Sequence, residues 1–329
     1  PRYADHDRAV FDATLETARG IAAEYLAPHN QKGDANEPTF DGEKVTLIPE
    51  TKAAWDALAE AGFHAAHHDA EDGGLQLPEV ILRSCVAYFS AANISTSGYS
   101  FLTIGSANLV KGFASDALRE RFLPPMLDGR YSGTMALTEP GQGSALGDIR
   151  TTARPTADGS YRVFGQKMFI SGGDHELTDN IVHMVLARIE GAPAGVKGIS
   201  LFLVPKVLVN EDGSLGARND VALAGLLHKM GYRNTTSTVL SFGEKDGAVG
   251  YLVGEANKGL SYMFQMMNEA RIGVALGASV LAYQSYIHAL AYARERPQGR
   301  LPGSKDPLSN QVRIVQHADV RRMLLQQKV

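Results

Sequence analysis

The stretch Thr152-Ala-Arg-Pro-Thr-Ala-Asp-Gly-Ser-Tyr-Arg-Val-Phe164 decides the fold class of the chain. Asp158-Gly159 is a hairpin turn sequence, and the residues after it alternate at the period of two that a strand requires. Short apolar runs divided by turn residues continue to about residue 254, including a run at 199–204 that predicts a strand buried on both faces. The pattern predicts a middle β domain over residues 132–256, built as an antiparallel barrel or sandwich.

Helical periodicity dominates on both sides of this β block. Apolar side chains such as Phe11, Leu15 and Ala18 recur at helical spacing, which indicates an N-terminal helical domain over residues 1–131. Helices are predicted there at 50–61, 78–92 and 116–127. Helical spacing returns after the β block and predicts a C-terminal helical bundle over residues 257–329. The final residues show a helical pattern without a stop signal, and Pro1 stands where an initiator Met would, so we expect a piece of a longer protein with this last domain truncated.

The composition narrows the classes of function. The 329 residues contain 32 Lys and Arg against 36 Asp and Glu, and 44% are hydrophobic. These values are typical of a folded globular protein and disfavour a nucleic-acid partner. Cys85 is the single cysteine, which excludes an intrachain disulfide. No uninterrupted apolar stretch reaches the roughly 18 residues that predict a membrane helix, so we expect a cytoplasmic protein without a membrane partner.

Three short motifs have competing interpretations. The glycine-rich run 141–147 lacks the pattern of a dinucleotide-binding loop, so it is either a plain turn or a place where small residues let a cofactor approach. His64 and His68 share a helix face, but Ala65 stands where a zinc site of that type needs Glu, so we expect no metal site. The three arginines of 294–300 fit a helix C-terminus and a phosphate clamp equally well.

Two segments carry a resemblance to a known family. Met135-Ala-Leu-Thr-Glu-Pro-Gly-Gln-Gly-Ser144 and Gly165-Gln-Lys-Met-Phe-Ile-Ser171 resemble, in sequence and spacing, the acyl-CoA dehydrogenase family. The similarity extends over nearly the whole chain. Segments 170–176 and 317–325 look most like a longer bacterial branch, which includes the 3-(methylthio)propanoyl-CoA dehydrogenases.

The resemblance implies an oxidoreductase of fatty acid metabolism that uses FAD to dehydrogenate an acyl-CoA thioester at its α,β bond. A carboxylate removes the α proton while the β hydrogen leaves as hydride to flavin N5. The implied cofactor-binding residues are Met135, Leu137, Thr138, Ser144, Phe169, Ser171, Arg296 and Gln298. The implied substrate-binding residues are Ser144, Asn268 and Arg271.

The resemblance also implies partners. Arg296 and Gln298 match positions that reach the FAD of a neighbouring subunit, which implies a homodimer or homotetramer. An electron-transfer flavoprotein is the implied electron acceptor. An acyl-CoA oxidase, a nitroalkane-oxidase-like flavoenzyme and a flavin-bearing DNA-binding relative without dehydrogenase activity are alternatives.

The catalytic base is where the sequence departs from the family. One branch has Glu immediately before the arginine that Arg271 matches, and this chain has Ala270 there. Glu269 is one residue earlier, a rotation of about 100° around a helix, so we expect it to point elsewhere. Most members carry the base in a later loop. We therefore expect the base to lie after Val329, and the 329-residue chain alone to bind FAD weakly and to be inactive with acyl-CoA.

Overall fold

The structure is a computed structural model that describes residues 2–303 and 306–329. The chain divides into two compact units, the first ending at Gly273 and the second formed by Val274–Val329. The helices are α1 (Arg8–Ile21), α2 (Asn30–Ala35), α3 (Pro49–Glu60), α4 (Glu79–Phe113), α5 (Asp116–Leu127), α6 (Gly259–Glu295) and α7 (Ala318–Lys328). The strands are β1 (Thr39–Phe40), β2 (Val45–Thr46), β3 (Tyr131–Ala136), β4 (Thr152–Pro155), β5 (Tyr161–Ser171), β6 (Asn180–Ile189), β7 (Ile199–Pro205), β8 (Val207–Val209), β9 (Leu215–Arg218), β10 (Val221–Leu226), β11 (Ser237–Phe242) and β12 (Ala248–Val253).

The helical, β and helical order that the sequence predicts is confirmed, with one difference in the length of a helix. α3 and α5 lie where the periodicity places them, but α4 continues past the predicted end to Phe113, with a kink at Asn93. The continuation is rich in Ser, Thr and Gly, which are poor helix formers. It is helical because its small side chains pack on β3, where the Thr103 hydroxyl accepts a hydrogen bond from Gly133 N–H at 3.1 Å.

The middle strands form a small closed barrel. β5 pairs with β12, β12 with β7, β7 with β6, β6 with β4, and β4 again with β5, which closes a ring of five strands. β3 extends the ring beside β6, while β11 and then β10 extend it beside β5. Closure removes free edges from the ring.

The antiparallel prediction is wrong for two of these pairings. β3 and β4 both run parallel to β6, whereas the remaining pairs are antiparallel. The chain reverses direction once between β4 and β5 and again between β5 and β6. As a result, β3, β4 and β6 point the same way. The prediction that 199–204 is buried on both faces is confirmed, since every residue of β7 is buried.

Helix α6 is relevant to the expectation that the chain contains no membrane helix. By length and composition alone it could cross a membrane. Glycine and serine interrupt the apolar residues of this helix, so no uninterrupted apolar run in the sequence predicts it as a membrane helix. Core helices of other proteins have the same length and apolar composition.

The second unit contains a turn between α6 and α7. Gln298 N–H donates to Val312 C=O and Ile314 N–H donates to Arg296 C=O, both at 2.9 Å, so two extended segments lie side by side. His317 Nε2 donates to the carbonyl of Gln298 at 2.7 Å. Arg296 and Gln298, the predicted contacts to a neighbouring FAD, therefore lie on one exposed turn.

Candidate functional site

The two motif segments, 135–144 and 165–171, contact each other just after the C-terminal end of β3. Met168 N–H donates a hydrogen bond to Thr138 C=O at 2.9 Å, and the Lys167 ammonium donates to Leu137 C=O at the same distance. Segment 137–139 therefore lies against the last third of β5. Thr138 and Phe169 are 31 residues apart in the sequence. This contact places them on neighbouring segments.

A buried ion pair fixes this junction. Lys167 Nζ lies 2.9 Å from Glu139 Oε1, and the two side chains are 0% and 6% exposed. The Glu139 carboxylate also accepts hydrogen bonds from Thr151 N–H and hydroxyl at 3.0 and 2.5 Å, and from Arg150 N–H at 2.6 Å. One carboxylate thus connects segment 137–139, β5 and the residues before β4.

Both members of the pair are charged at neutral pH. Burial lowers the pKa of Lys167 to about 8, although Glu139 opposes this shift. Burial would raise the pKa of Glu139, but the Lys167 ammonium and the N–H and hydroxyl donors outweigh it and hold that pKa below its ordinary value. Neither group was predicted as a site residue. The feature of the sequence that could have indicated this pair is Lys167, because it lies on the same face of β5 as the buried Val163.

A bulge presents Phe169 to solvent. The register between β11 and β5 shifts between Thr238 and Leu240, so Met168 and Phe169 together lie opposite Val239. Phe169 has a φ of +59°, in the left-handed region, and its ring is 61% exposed. Such a conformation costs about 1–3 kcal/mol and concentrates at functional sites. Bulges of this kind redirect a side chain, here an aromatic ring away from the core.

The predicted hydroxyl contacts are available to a ligand. Thr138 is half-buried, while Ser171, the last residue of β5, and Ser144 are exposed. Within the described ranges, none of these three hydroxyls has a hydrogen-bond partner in the protein. A Cβ at Gly141 or Gly143 would have no atom within 4 Å, so the glycine-rich turn also leaves open surface.

The remaining predicted cofactor contacts differ in exposure. Met135 is half-buried, but the side chain of Leu137 is only 8% exposed and belongs to the hydrophobic core. Any contribution of Leu137 to a ligand site would therefore come through its backbone. Arg296 and Gln298 lie in the second unit and their roles stay predictions.

The loop after β5 is anchored by a neutral histidine. His175 Nδ1 accepts from Leu177 N–H at 3.2 Å, so its Nε2–H donates to Ser132 Oγ at 3.2 Å. Burial lowers the pKa of His175 to about 3, which agrees with this neutral form. Asp174, one residue earlier, forms an ion pair with Lys206 at 2.6 Å. The loop that follows Ser171 is thus tied to β3 and to the segment after β7.

The predicted substrate residues lie together on α6. Arg271 Nη1 donates to Asn268 Oδ1 at 2.6 Å, and both side chains are exposed. Ala270 and Glu269 both border a small cavity next to Met135. The Glu269 carboxylate accepts a hydrogen bond from Asn108 Nδ2 at 2.9 Å, and the expectation that it points away from the substrate stays a prediction. No group of three or more His, Cys, Asp or Glu placed to hold a metal ion occurs in the described part of the chain.

The sequence of the chain is similar to sequences of known proteins. The family profile "Acyl-CoA dehydrogenase, N-terminal domain" matches residues 11–130, and "Acyl-CoA dehydrogenase, middle domain" matches residues 134–244. The chain is 41% identical over 317 residues to a 3-methylmercaptopropionyl-CoA dehydrogenase of Ruegeria pomeroyi, covering 96% of this chain and 53% of that protein. It is 40% identical over 326 residues to a butyryl-CoA dehydrogenase of Syntrophomonas wolfei, with the same coverage of 96% and 53%.

A solved structure shows the same fold. An acyl-CoA dehydrogenase from Bacillus anthracis, complexed with FAD, superposes with a TM-score of 0.78 at 21% identity, covering 98% of this chain and 49% of that one. The chain spans about half the length of the curated relatives that it matches.

Proposed function

We propose that this chain, which belongs to the acyl-CoA dehydrogenase family through its N-terminal and middle domains, supplies the flavin-binding part of an enzyme that oxidises acyl-CoA thioesters at the α,β bond. The observation that carries the proposal is the junction of the two motif segments by the Lys167–Glu139 pair. It places an exposed aromatic ring and unpartnered hydroxyl groups at one end of the barrel.

The residues at this junction fit FAD. The Phe169 ring, which the bulge holds outward and exposed, would cover a face of the flat isoalloxazine ring. The hydroxyl groups of Thr138 and Ser171 would donate hydrogen bonds to its polar edge, and Ser144 on the open glycine-rich turn would bind the phosphates. The bound flavin supplies the acceptor for the β hydrogen. A related enzyme solved with FAD has the same fold, which supports this choice of cofactor.

The α proton requires a carboxylate within hydrogen-bond reach. Ala270 offers a methyl group at the position where one branch of the family has Glu, and Oε2 of Glu269, one residue earlier, accepts a hydrogen bond from the Asn108 amide. We therefore assign the base to a segment outside the described residues. Asn268 and Arg271, linked to each other on the exposed face of α6, bind the thioester substrate.

The partners follow from the same proposal. An electron-transfer flavoprotein reoxidises the flavin, and the enzyme works in the cytoplasm without a membrane. Arg296 and Gln298 contact the FAD of a second copy in a homodimer or homotetramer.

Titration with FAD tests the cofactor site. Thr138→Ala and Ser171→Ala should each weaken FAD binding by about 0.5–1.5 kcal/mol, the net value of one hydrogen bond, and should change the flavin absorbance spectrum. Ser214→Ala, in the exposed β8–β9 turn, is the matched control and should change neither. Unchanged affinity and spectrum in both test variants would remove these hydroxyl groups from the site.

A further inference from the structure

One half-buried lysine of the first unit has no acidic partner. Within the described ranges, four lysines are buried or half-buried, and three of them form an ion pair with a carboxylate at 2.5–2.9 Å: Lys111, Lys167 and Lys206. The fourth, Lys229, forms no ion pair with a carboxylate of the described residues, and its Nζ donates to the carbonyl of Thr235. Because a shielded ammonium without a counterion loses hydration and gains little in return, this environment favours the neutral amine.

The charges near Lys229 do not compensate for this loss. Glu37 is the acidic side chain nearby, but its carboxylate already binds His228 Nδ1 at 2.8 Å and Arg233 Nε at 3.2 Å. Arg233 Nε also donates to the backbone carbonyl of Lys229 at 3.1 Å, so a guanidinium lies beside the same residue. Burial lowers the pKa of Lys229 to about 8, and Glu37 offsets only part of this shift.

The loop that carries Lys229 joins β10 to β11 at the end of the sheet where β5 finishes. Leu227 N–H donates to Ser237 C=O at 2.8 Å, and Ser237 lies opposite Ser171 in the pairing of β11 with β5. Lys229 therefore lies at the same end of the sheet as the candidate flavin site. Met230, the next residue, is 96% exposed, so the loop is open to solvent.

We propose that Lys229 is a site of covalent acylation by acyl-CoA thioesters, a modification separate from the dehydrogenation. The inference rests on the proposed function only for its acyl donor. The neutral Nζ amine attacks the carbonyl carbon of the thioester, so an N–C amide bond forms and the C–S bond breaks. The sulfur leaves with the electron pair of that bond and takes the proton that the amine loses. The products are an amide on Lys229 and the free thiol of CoA, and nothing is oxidised or reduced.

Peptide mass spectrometry of the FAD-loaded protein after incubation with butanoyl-CoA tests the inference. At about pH 8, about half of Lys229 is neutral, against about 0.4% of a lysine with the ordinary pKa near 10.4. Intrinsic nucleophilicity falls with the pKa, by about tenfold here on the scale known for thiols, which leaves Lys229 an advantage of about tenfold. Lys258, which is exposed and paired with Glu255 at 2.8 Å, is the internal control and should carry about one tenth of the label of Lys229 or less.

Two matched variants assign the label in the intact protein. Lys229→Arg keeps a cationic donor for the carbonyl of Thr235 and should remove most of the butanoyl adduct. Lys258→Arg should leave the amount of adduct unchanged. An adduct of equal size in Lys229→Arg and in the unchanged protein would overturn the assignment to Lys229.

Labelling with acetic anhydride, which is not a thioester, separates this inference from the proposed function. Equal labelling of Lys229 and Lys258 by both reagents would overturn the inference. Preferential labelling of Lys229 by the anhydride but not by butanoyl-CoA would overturn acylation by thioesters. Selective labelling of Lys229 by butanoyl-CoA in a protein that fails to bind FAD would support the inference and contradict the proposed function.

Discussion

Replacing Lys167 with methionine removes one half of the buried ion pair and leaves the other half in the barrel wall. Methionine retains most of the apolar stem of lysine, so the change isolates the ammonium group. In Lys167→Met, the Glu139 carboxylate keeps the hydrogen bonds from Thr151 and Arg150 but loses its cation while it is only 6% exposed. The carbonyl of Leu137 also loses the donor that links it to β5.

The expected cost follows from this geometry. Breaking a buried ion pair by removing one partner destabilises a protein by about 3–5 kcal/mol, because the remaining charge has no compensation. The donors from Thr151 and Arg150 still solvate Glu139, so we expect the lower end, about 3 kcal/mol. The double variant Lys167→Met with Glu139→Gln removes the stranded charge but keeps an acceptor, and should recover about 1–2 kcal/mol.

Urea unfolding measures these free energies, and FAD titration of the same variants measures the affinity of the candidate site for FAD. Lys52→Met is the control, since Lys52 and Asp56 form a pair whose side chains are 49% and 45% exposed, and its cost should stay below about 1 kcal/mol. FAD affinity should fall in Lys167→Met and not in Lys52→Met. Equal costs for the two lysine variants, or an unchanged FAD affinity in Lys167→Met, would refute the role given to the pair.

Two other predictions concern the bulge and the loop after it. Phe169→Ala should weaken FAD binding by about 0.5–1.5 kcal/mol, the value of an aromatic contact, while changing the free energy of unfolding by under about 0.5 kcal/mol, because the ring is exposed; fluorescence titration and urea unfolding check this, and a loss confined to stability would contradict it. His175→Gln should flatten acid unfolding: the folded pKa of about 3 lies below the unfolded value near 6.5, so unfolded chains bind the proton first and stability falls by about 1.4 kcal/mol per unit as pH drops between those values. Identical slopes for both proteins between about pH 6 and 4 would contradict the buried neutral form of His175.

The sequence predicted the order of domains because that order depends on local periodicity. Residues of helical spacing formed α3 and α5 as expected, and the alternation after Asp158-Gly159 formed β5. The continuation of α4 was not predictable in this way, because its stability comes from packing against β3 and not from helix propensity. The parallel pairing of β3 with β6 depends on contacts between distant strands, which no short window of sequence contains.

The candidate site was predictable only in part. The family motifs pointed to Thr138, Phe169 and Ser171, whose roles stay predictions, and the structure shows their segments joined. The motifs did not single out Lys167 and Glu139, because a buried pair becomes visible only when the partner strand is known. The left-handed backbone of Phe169 likewise arises from a register shift between β5 and β11, a property of the pairing and not of the residue.

A crystal structure of this protein with FAD bound would test the proposed flavin site most directly. We predict that the isoalloxazine ring lies against the exposed face of Phe169, with its polar edge toward the hydroxyl groups of Thr138 and Ser171. An isoalloxazine ring bound elsewhere on the chain, with those three side chains facing solvent, would contradict it.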